Sequence, residues 1–200
     1  MDGGEDLVRR FWMDRAQRPD FLWRDLVEAN LRILSSLLSP SLRVLDLGAG
    51  DGRLTSRVAE LVAHVKAVDY TPAILRLSRP NVATEVRDIR FYEDHERYDL
   101  VLLFGVMNFI EDAESLYRRC RGLVRPGGRL AIKHQCGRRA TVRVSAAIDG
   151  VPYQSQYRFL GEEVALLLEA GFSGVESSLP YPPELNPWED TVYACFVAVA

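Results

Sequence analysis

The sequence predicts an α/β fold in which apolar strands alternate with helices in a single domain. The apolar segment Val44–Leu47 runs into a glycine-rich turn and then into a helical segment, Leu54–Val62. A second strand, His64–Tyr70, follows that helix and has an acidic residue at its end. The last two strands, Gly174–Leu179 and Thr191–Ala200, have no helix between them. At 200 residues with 48% hydrophobic residues, the chain suits one domain with one large core.

The turn after the first strand carries Gly48, Gly50 and Gly52 within five positions. Glycine tolerates positive φ and has no Cβ, so the loop can turn tightly and let a ligand approach its backbone. We predict a cofactor site here, in which Asp46 accepts hydrogen bonds from loop amides and holds, through water, the ammonium of a bound amino-acid group. The alternative is an ordinary strand-to-helix connection capped by Asp51. The predicted cofactor-binding residues of this segment are Asp46, Gly48, Ala49, Gly50 and Gly52.

Asp69, at the end of the second strand, is the predicted ligand of a ribose. It follows Gly50 by 19 residues, close to the ~20 expected for a ribose-binding carboxylate in such folds. Its two oxygens can accept both vicinal hydroxyl protons, and Tyr70 offers a flat apolar face for an adenine. The alternative is a turn aspartate that precedes Thr71 and its following proline. A dinucleotide fingerprint would require glycine where Arg53 stands, so a nicotinamide cofactor is disfavoured.

The G-x-G-x-G spacing after Asp46 resembles the first motif of class I S-adenosylmethionine-dependent methyltransferases. Val86–Ile89, Tyr98–Gly105 and the Pro126–Gly128 turn agree with that family in order and spacing, and the resemblance runs from Leu42 to the C-terminus. It implies a seven-stranded, mostly parallel sheet with helices on both faces and an antiparallel last strand. It also implies S-adenosyl-L-methionine as cofactor and S-adenosyl-L-homocysteine as product. By resemblance, Asp88 meets the adenine amino group, Ile89 lies beside it, and Phe104 and Gly105 face the methionine part.

Three segments around this core are predicted to select the acceptor. Residues 1–40 have the apolar periodicity of about two helices and are expected to form a cap over the core at 42–136. Residues 137–160 are expected to form an inserted β-hairpin with its turn at Asp149-Gly150. This hairpin is expected to cover the site or to pair with another subunit, and the alternative is a surface hairpin without a functional role. Residues 161–200 supply the last helix and strand pair. The candidate substrate-pocket residues are Trp12, Arg15, Phe21 and Trp23 in the cap, with core packing as their alternative, and Tyr181 and Trp188 in the loop before the last strand.

His134, at the end of the fifth strand, is the predicted general base. Ligands in such sheets bind at the carboxyl ends of the strands, and an imidazole with an ordinary pKa of ~6.5 suits proton removal from a hydroxyl acceptor. A structural histidine that is satisfied by hydrogen bonds is the alternative. Asn108 stands where many relatives with small-molecule substrates carry histidine, which leaves the role of that position open.

Composition narrows the class of partner. A net charge of −3 and a pI near 5.7 disfavour binding through phosphate contacts, so no nucleic acid is expected. The chain has no apolar run of about 18 residues and begins with acidic residues, from which we expect a cytoplasmic protein without membrane association. The three cysteines are widely spaced and predict neither a disulfide framework nor a metal site. We therefore expect methyl transfer to an oxygen or nitrogen of a small metabolite, with a homodimer as a candidate assembly. The alternatives are a nicotinamide-dependent oxidoreductase and a non-catalytic cofactor-binding protein.

Overall fold

A seven-stranded sheet forms the centre of the molecule in the computed structural model, which describes residues 10–13, 23–148, 150–181 and 190–200. The strands are β1 (Arg43–Leu47), β2 (His64–Asp69), β3 (Val82–Val86), β4 (Tyr98–Phe104), β5 (Val124–Gly137), β6 (Val142–Ile148), β7 (Val151–Tyr157), β8 (Ser173–Ser178) and β9 (Thr191–Val199). The sheet has the order β3-β2-β1-β4-β5-β9-β8. Its first five strands are parallel, and β9 is antiparallel to both β5 and β8. The predicted fold class and the antiparallel last strand are confirmed.

Helices cover both faces of this sheet. They are α1 (Trp23–Leu34), α2 (Arg53–Val58), α3 (Ala113–Leu123) and α4 (Leu160–Glu169), with short 3₁₀ helices at Pro72–Arg76, Ile89–Phe91 and Met107–Phe109. Asp112 begins α3 by accepting a 3.0 Å hydrogen bond from the backbone N–H of Ser115. Beyond α4, Gly171 has φ +91°, a left-handed conformation that is common for glycine directly after a helix. Helix α2 ends at Val58, four residues before the helix end that the sequence predicts, Val62.

Two apolar layers hold the sheet between the helices. Leu100 and Leu102 of β4 pack on the layer that contains Leu34 of α1 and Val58 of α2. Side chains alternate along a strand, so Val101 and Leu103 point into the opposite layer, beneath α3 and α4. We call these the α1–α2 face and the α3–α4 face. Because both faces are covered, the central strands are continuous apolar runs, as the sequence showed.

The predicted hairpin is present outside the main sheet. Strands β6 and β7 pair from Val142 with Tyr157 to Ile148 with Val151, and Gly150 in the turn has φ +79°. An isolated bridge between Gly137 and Phe159 joins the base of the hairpin to the end of β5. The hairpin therefore leaves the sheet and returns to it next to the carboxyl ends of β4 and β5.

The N-terminal part of the chain lies partly outside the described residues. Within it, residues 10–13 are helical, and the ring of Trp12 makes an edge contact with Phe109, at a centroid distance of 5.2 Å. Trp23 is the first residue of α1. Arg15, Phe21 and Trp188 lie outside the described residues. No helix in the described ranges is long and apolar enough to span a membrane.

Candidate cofactor and acceptor site

The glycine loop after β1 folds back on the end of β2. The backbone N–H groups of Gly48 and Ala49 both donate to the carbonyl oxygen of Val68, at 2.8 and 3.2 Å. Gly48, Gly50 and Gly52 have φ of +80°, +61° and +79°. L-residues with a Cβ rarely adopt such positive φ values, so the backbone conformation requires glycine at all three predicted positions.

The glycines differ in what surrounds them. A Cβ on Gly48 would lie 2.1 Å from Cγ1 of Val106, so Gly48 is there for close packing. A Cβ on Gly50 would meet no atom within 4 Å, and the same holds for Gly105 at the end of β4, where φ is +80°. Among the described residues, open space therefore faces the backbone at the carboxyl ends of β1 and β4, the edge where ligands bind in parallel sheets. Beside the loop, between α1 and α2, an open cleft of about 400 Å³ is lined in part by Gly52.

Asp69 supports the loop with both of its carboxylate oxygens. Oδ2 accepts the N–H of Gly50 at 2.9 Å, while Oδ1 accepts the N–H and the hydroxyl of Thr71, each at 2.7 Å. The side chain is 6% exposed. These bonds take three of the roughly four acceptor positions of a carboxylate. Asp69 therefore makes the turn contacts of the alternative interpretation, and a ribose would have to share oxygens already in use. Its contact with a ribose stays a prediction.

Asp46 is buried at the end of β1 and accepts one hydrogen bond, from the hydroxyl of Thr55 at 2.6 Å. Burial raises the pKa of this carboxyl from 3.8 to about 6, and the nearby charge of Asp69 adds to the rise. Within the described residues, no loop amide donates to Asp46, so that part of our prediction is wrong. The loop amide goes to Asp69 instead, because Gly50 faces the end of β2.

The residues predicted around an adenine lie at the neighbouring strand ends. Asp88 begins the 3₁₀ helix Ile89–Phe91 by accepting the N–H of Arg90 at 2.9 Å, and its carboxylate also pairs with the Arg90 guanidinium. The Ile89 side chain is 5% exposed and packs in the α3–α4 layer. Tyr70 is half-buried next to Asp69. Their contacts with a cofactor stay predictions.

His134 is fully buried in this structure, with no exposed surface. Its Nδ1 lies 3.4 Å from the amide nitrogen of Asn108, and its Nε2 lies 3.4 Å from Oε1 of Glu163. Burial, with the charge of Arg158, lowers the pKa of the imidazole to about 3. A base of this strength, without access to solvent or ligand, is poorly matched to proton removal near neutral pH. The prediction of a general base at His134 is therefore corrected to a structural histidine.

A buried polar network, which was not predicted from the sequence, surrounds His134. Arg158, 2% exposed, donates through Nη1 to the carbonyl oxygen of Met107 at 3.0 Å and to Oε1 of Glu163 at 3.2 Å, and through Nη2 to the carbonyl of Ile110. The Tyr117 hydroxyl donates to the other oxygen of Glu163. The network ties the base of the hairpin and α4 to the loop that follows Gly105. An arginine at the end of a strand carries no sequence signal for such a role.

Asn108, whose role was open, connects three segments at the same place. Its side-chain amide donates to the carbonyl oxygens of Gln135 and Gln156, at 2.7 and 3.1 Å. The N–H of Gln135 donates back to the Asn108 side-chain oxygen at 3.3 Å. Asn108 therefore holds the loop after β4 against β5 and the hairpin.

Tyr181 is the one candidate substrate residue of the last loop that the structure describes. It is 8% exposed, and its hydroxyl donates to Oδ1 of Asn30 in α1 at 2.6 Å. Its ring makes an edge contact with the ring of Tyr193, at a centroid distance of 5.2 Å. Lys133 of β5 and Tyr193 of β9 complete this group on the α1–α2 face, close to Phe104. Neither residue was predicted for the site, although a lysine directly after the apolar run Leu130–Ile132 within a strand was a usable signal.

Comparisons with known proteins agree with this geometry. Residues 45–130, which include the glycine loop, match the sequence family described as a methyltransferase domain. The chain is 27% identical over 194 residues to the ubiquinone biosynthesis O-methyltransferase of Xanthomonas axonopodis, a match that covers 91% of this chain and 74% of the relative. An uncharacterised methyltransferase of Mycobacterium bovis is 37% identical over 95 residues, which are 44% of this chain and 48% of that protein.

The fold also resembles that of a solved enzyme, the 1,6-didemethyltoxoflavin-N1-methyltransferase of Burkholderia thailandensis, with bound 1,6-didemethyltoxoflavin and S-adenosylhomocysteine. The TM-score is 0.75 at 22% identity, and the match covers 98% of this chain and 88% of the enzyme. At this identity the likeness concerns the fold. Residues 45–130 thus match a methyltransferase domain, and the strand order and glycine loop are those of the class I S-adenosylmethionine-dependent methyltransferase fold.

Proposed function

We propose that this enzyme transfers a methyl group from S-adenosylmethionine to an oxygen or nitrogen of a small metabolite. The observation that carries the proposal is the open space at Gly50 and Gly105, which leaves two strand ends accessible to a ligand along bare backbone. The names of the Xanthomonas and Burkholderia relatives give an oxygen and a nitrogen acceptor, which supports both alternatives. The proposed cofactor-binding residues are Asp46, Gly48, Ala49, Gly50, Gly52, Asp69, Tyr70, Asp88, Ile89, Phe104 and Gly105.

The residues present fit this cofactor. An amino-acid part would lie in the open space at Gly50, and a ribose would share the Asp69 carboxylate with the Gly50 N–H and with Thr71. When bound, S-adenosylmethionine supplies an electrophilic methyl carbon and a good leaving group. The chain then has to hold the acceptor atom in line, ~3–3.5 Å from its target, and to exclude water. An amine that is already neutral needs no base, and a hydroxyl acceptor must be acidic or lose its proton to another group than His134.

A calorimetric titration with S-adenosylhomocysteine, run beside one with NADH, tests the cofactor. We expect micromolar binding of the former and no heat from the latter. Asp69→Ala should weaken the binding at least tenfold, because it removes both the ribose acceptor and the bond that positions the Gly50 amide. Asp51→Ala is the matched control: Asp51 lies in the same loop, but its carboxylate is exposed and pairs with Arg53. Binding of NADH, or no binding of S-adenosylhomocysteine, contradicts the proposal.

Methyl transfer itself is tested with methyl-labelled S-adenosylmethionine and a panel of small phenols, carboxylic acids and amines. We expect label in an extractable product that depends on the enzyme and is inhibited by S-adenosylhomocysteine. Cofactor binding without transfer to any member of a broad panel would favour the non-catalytic alternative.

A further inference from the structure

Lys133 occupies an unusual position for a cationic side chain. It lies in β5 between Phe104 of β4 and Cys195 of β9, and its carbonyl oxygen accepts the N–H of Gly105 at 2.7 Å. Paired residues of neighbouring strands place their side chains on the same face, so Lys133 shares the α1–α2 face with Phe104. Lys133 therefore pairs with the last residue of β4, directly before Gly105, where the proposed site begins.

The ammonium group of Lys133 lies beside two aromatic rings. Its Nζ lies 4.9 Å from the ring centroid of Tyr193 and 5.4 Å from that of Tyr181, within the range of cation–π contacts. The side chain is 5% exposed. Among the residues that the structure describes, no carboxylate pairs with Nζ and no hydrogen-bond acceptor contacts it. Lys66, the other lysine of the chain, pairs with both Glu85 and Asp94.

A buried cation without an anion is costly, and cation–π contacts offset only part of the loss of hydration. Burial lowers the pKa of Lys133 to about 8, so the ammonium is still the main form at neutral pH. A ligand that brings a negative charge to this position would therefore gain more than it would at an exposed lysine, because both charges are shielded from water.

We propose that Lys133, Tyr181 and Tyr193 form an anion subsite that holds an acidic oxygen group of the methyl acceptor. The acceptor is then a small acid, with a carboxylate or an acidic hydroxyl on an apolar ring that packs against Phe104 and the two tyrosines. This inference rests on the proposed function and narrows its substrate class. A bound acidic hydroxyl would be held as its anion, which would serve as the nucleophile and remove the need for a separate base.

The neighbouring titratable groups do not obscure the charge of Lys133. Burial raises the pKa values of Tyr181 and Tyr193, and it raises that of Cys195 to about 11. The pKa of His134, on the opposite face of β5, is about 3. Within this described group, Lys133 alone changes charge between pH 7 and 9, so anion binding should weaken as the pH rises through about 8.

The test uses benzoate and its neutral analogue benzamide, at constant ionic strength and pH 7. Protein labelled on its lysine side chains gives signals from Lys66 and Lys133 only, and titrations are followed with and without S-adenosylhomocysteine. We expect benzoate to shift the Lys133 signal and to bind at least tenfold more tightly than benzamide. Lys133→Met should lose this preference, Lys133→Arg should keep part of it, and Lys66→Met, the matched control, should keep all of it.

Equal binding of the two probes, no binding of benzoate, or a preference that survives in Lys133→Met would overturn the anion subsite. Affinity for S-adenosylhomocysteine should be the same in wild type and Lys133→Met. If the wild-type protein does not bind S-adenosylhomocysteine, the proposed function is rejected. If it binds S-adenosylhomocysteine but does not prefer benzoate over benzamide, only the anion subsite is rejected.

Discussion

Replacing Asp46 with asparagine should stabilise the ligand-free enzyme at neutral pH. The buried carboxyl has a pKa of about 6 instead of 3.8, and one pKa unit corresponds to about 1.4 kcal/mol. Keeping the group ionised at pH 7 therefore costs the folded state up to about 3 kcal/mol. Asparagine is neutral and of similar size, and its side-chain oxygen can still accept the bond from the Thr55 hydroxyl.

The pH dependence of this gain follows from the direction of the shift. A carboxyl whose pKa is higher in the folded than in the unfolded protein contributes stability that is fully present below about pH 3.8 and is lost as the pH rises through about 6. The advantage of Asp46→Asn should thus be largest at pH 7 and should vanish near pH 4. Urea unfolding at a series of pH values measures it, with Asp51→Asn as an exposed control that should change stability by less than about 0.5 kcal/mol.

The same substitution should weaken S-adenosylhomocysteine binding at least tenfold by calorimetry. A charge that is held at a cost in stability is characteristic of a functional site, where the bound ligand offsets the cost. This reasoning would be refuted if the Asp46→Asn variant were no more stable than wild type at pH 7. It would also be refuted if the difference in unfolding free energy between the two proteins did not change with pH.

Two further substitutions test the loop and the buried network. Gly50→Ala should lower the free energy of unfolding by about 1–2 kcal/mol, because alanine is strained in a left-handed backbone conformation. Gly48→Ala should lower it by at least about 1 kcal/mol more, because the new Cβ meets Val106. Unfolding curves of equal midpoint for the two variants would contradict this difference. Arg158→Met should lower the free energy of unfolding by about 3–5 kcal/mol, since it leaves Glu163 buried without its main cation. The exposed Arg118, which pairs with Glu114 one helical turn away, is the control, and its change to methionine should cost less than about 1 kcal/mol. Similar losses for the two arginine variants would show that the network is not held by charge.

Much of the cofactor edge could be predicted from local chemistry. Apolar strands that end in Asp46 and Asp69, with glycines between strand and helix, have few folded solutions, and the structure contains the expected one. The hairpin was equally accessible, because Asp149-Gly150 lies between two alternating strands. The length of α2 was not, since residues 59–63 have a composition that suits a helix, whereas the structure forms turns there.

The roles of individual polar residues depended on neighbours that the sequence does not identify. His134 looked accessible at a strand end, but α4 covers it and brings Glu163 to 3.4 Å. Asp46 looked like the acceptor for the loop amides, but the loop turns toward Asp69. In both cases, the strand position was predicted correctly and the facing partner was not.

The order of strands and helices along the chain, and the glycine loop with the acidic residues beside it, could be derived from the sequence, because they follow from side-chain periodicity and from the backbone freedom of glycine. The surroundings of Lys133 and Arg158 could not. Tyr181 reaches Asn30 across 151 positions of sequence, and Arg158 reaches Met107 across 51. Whether a charge is paired, buried or left for a ligand is set by such long-range contacts, which form only when the sheet brings distant segments together.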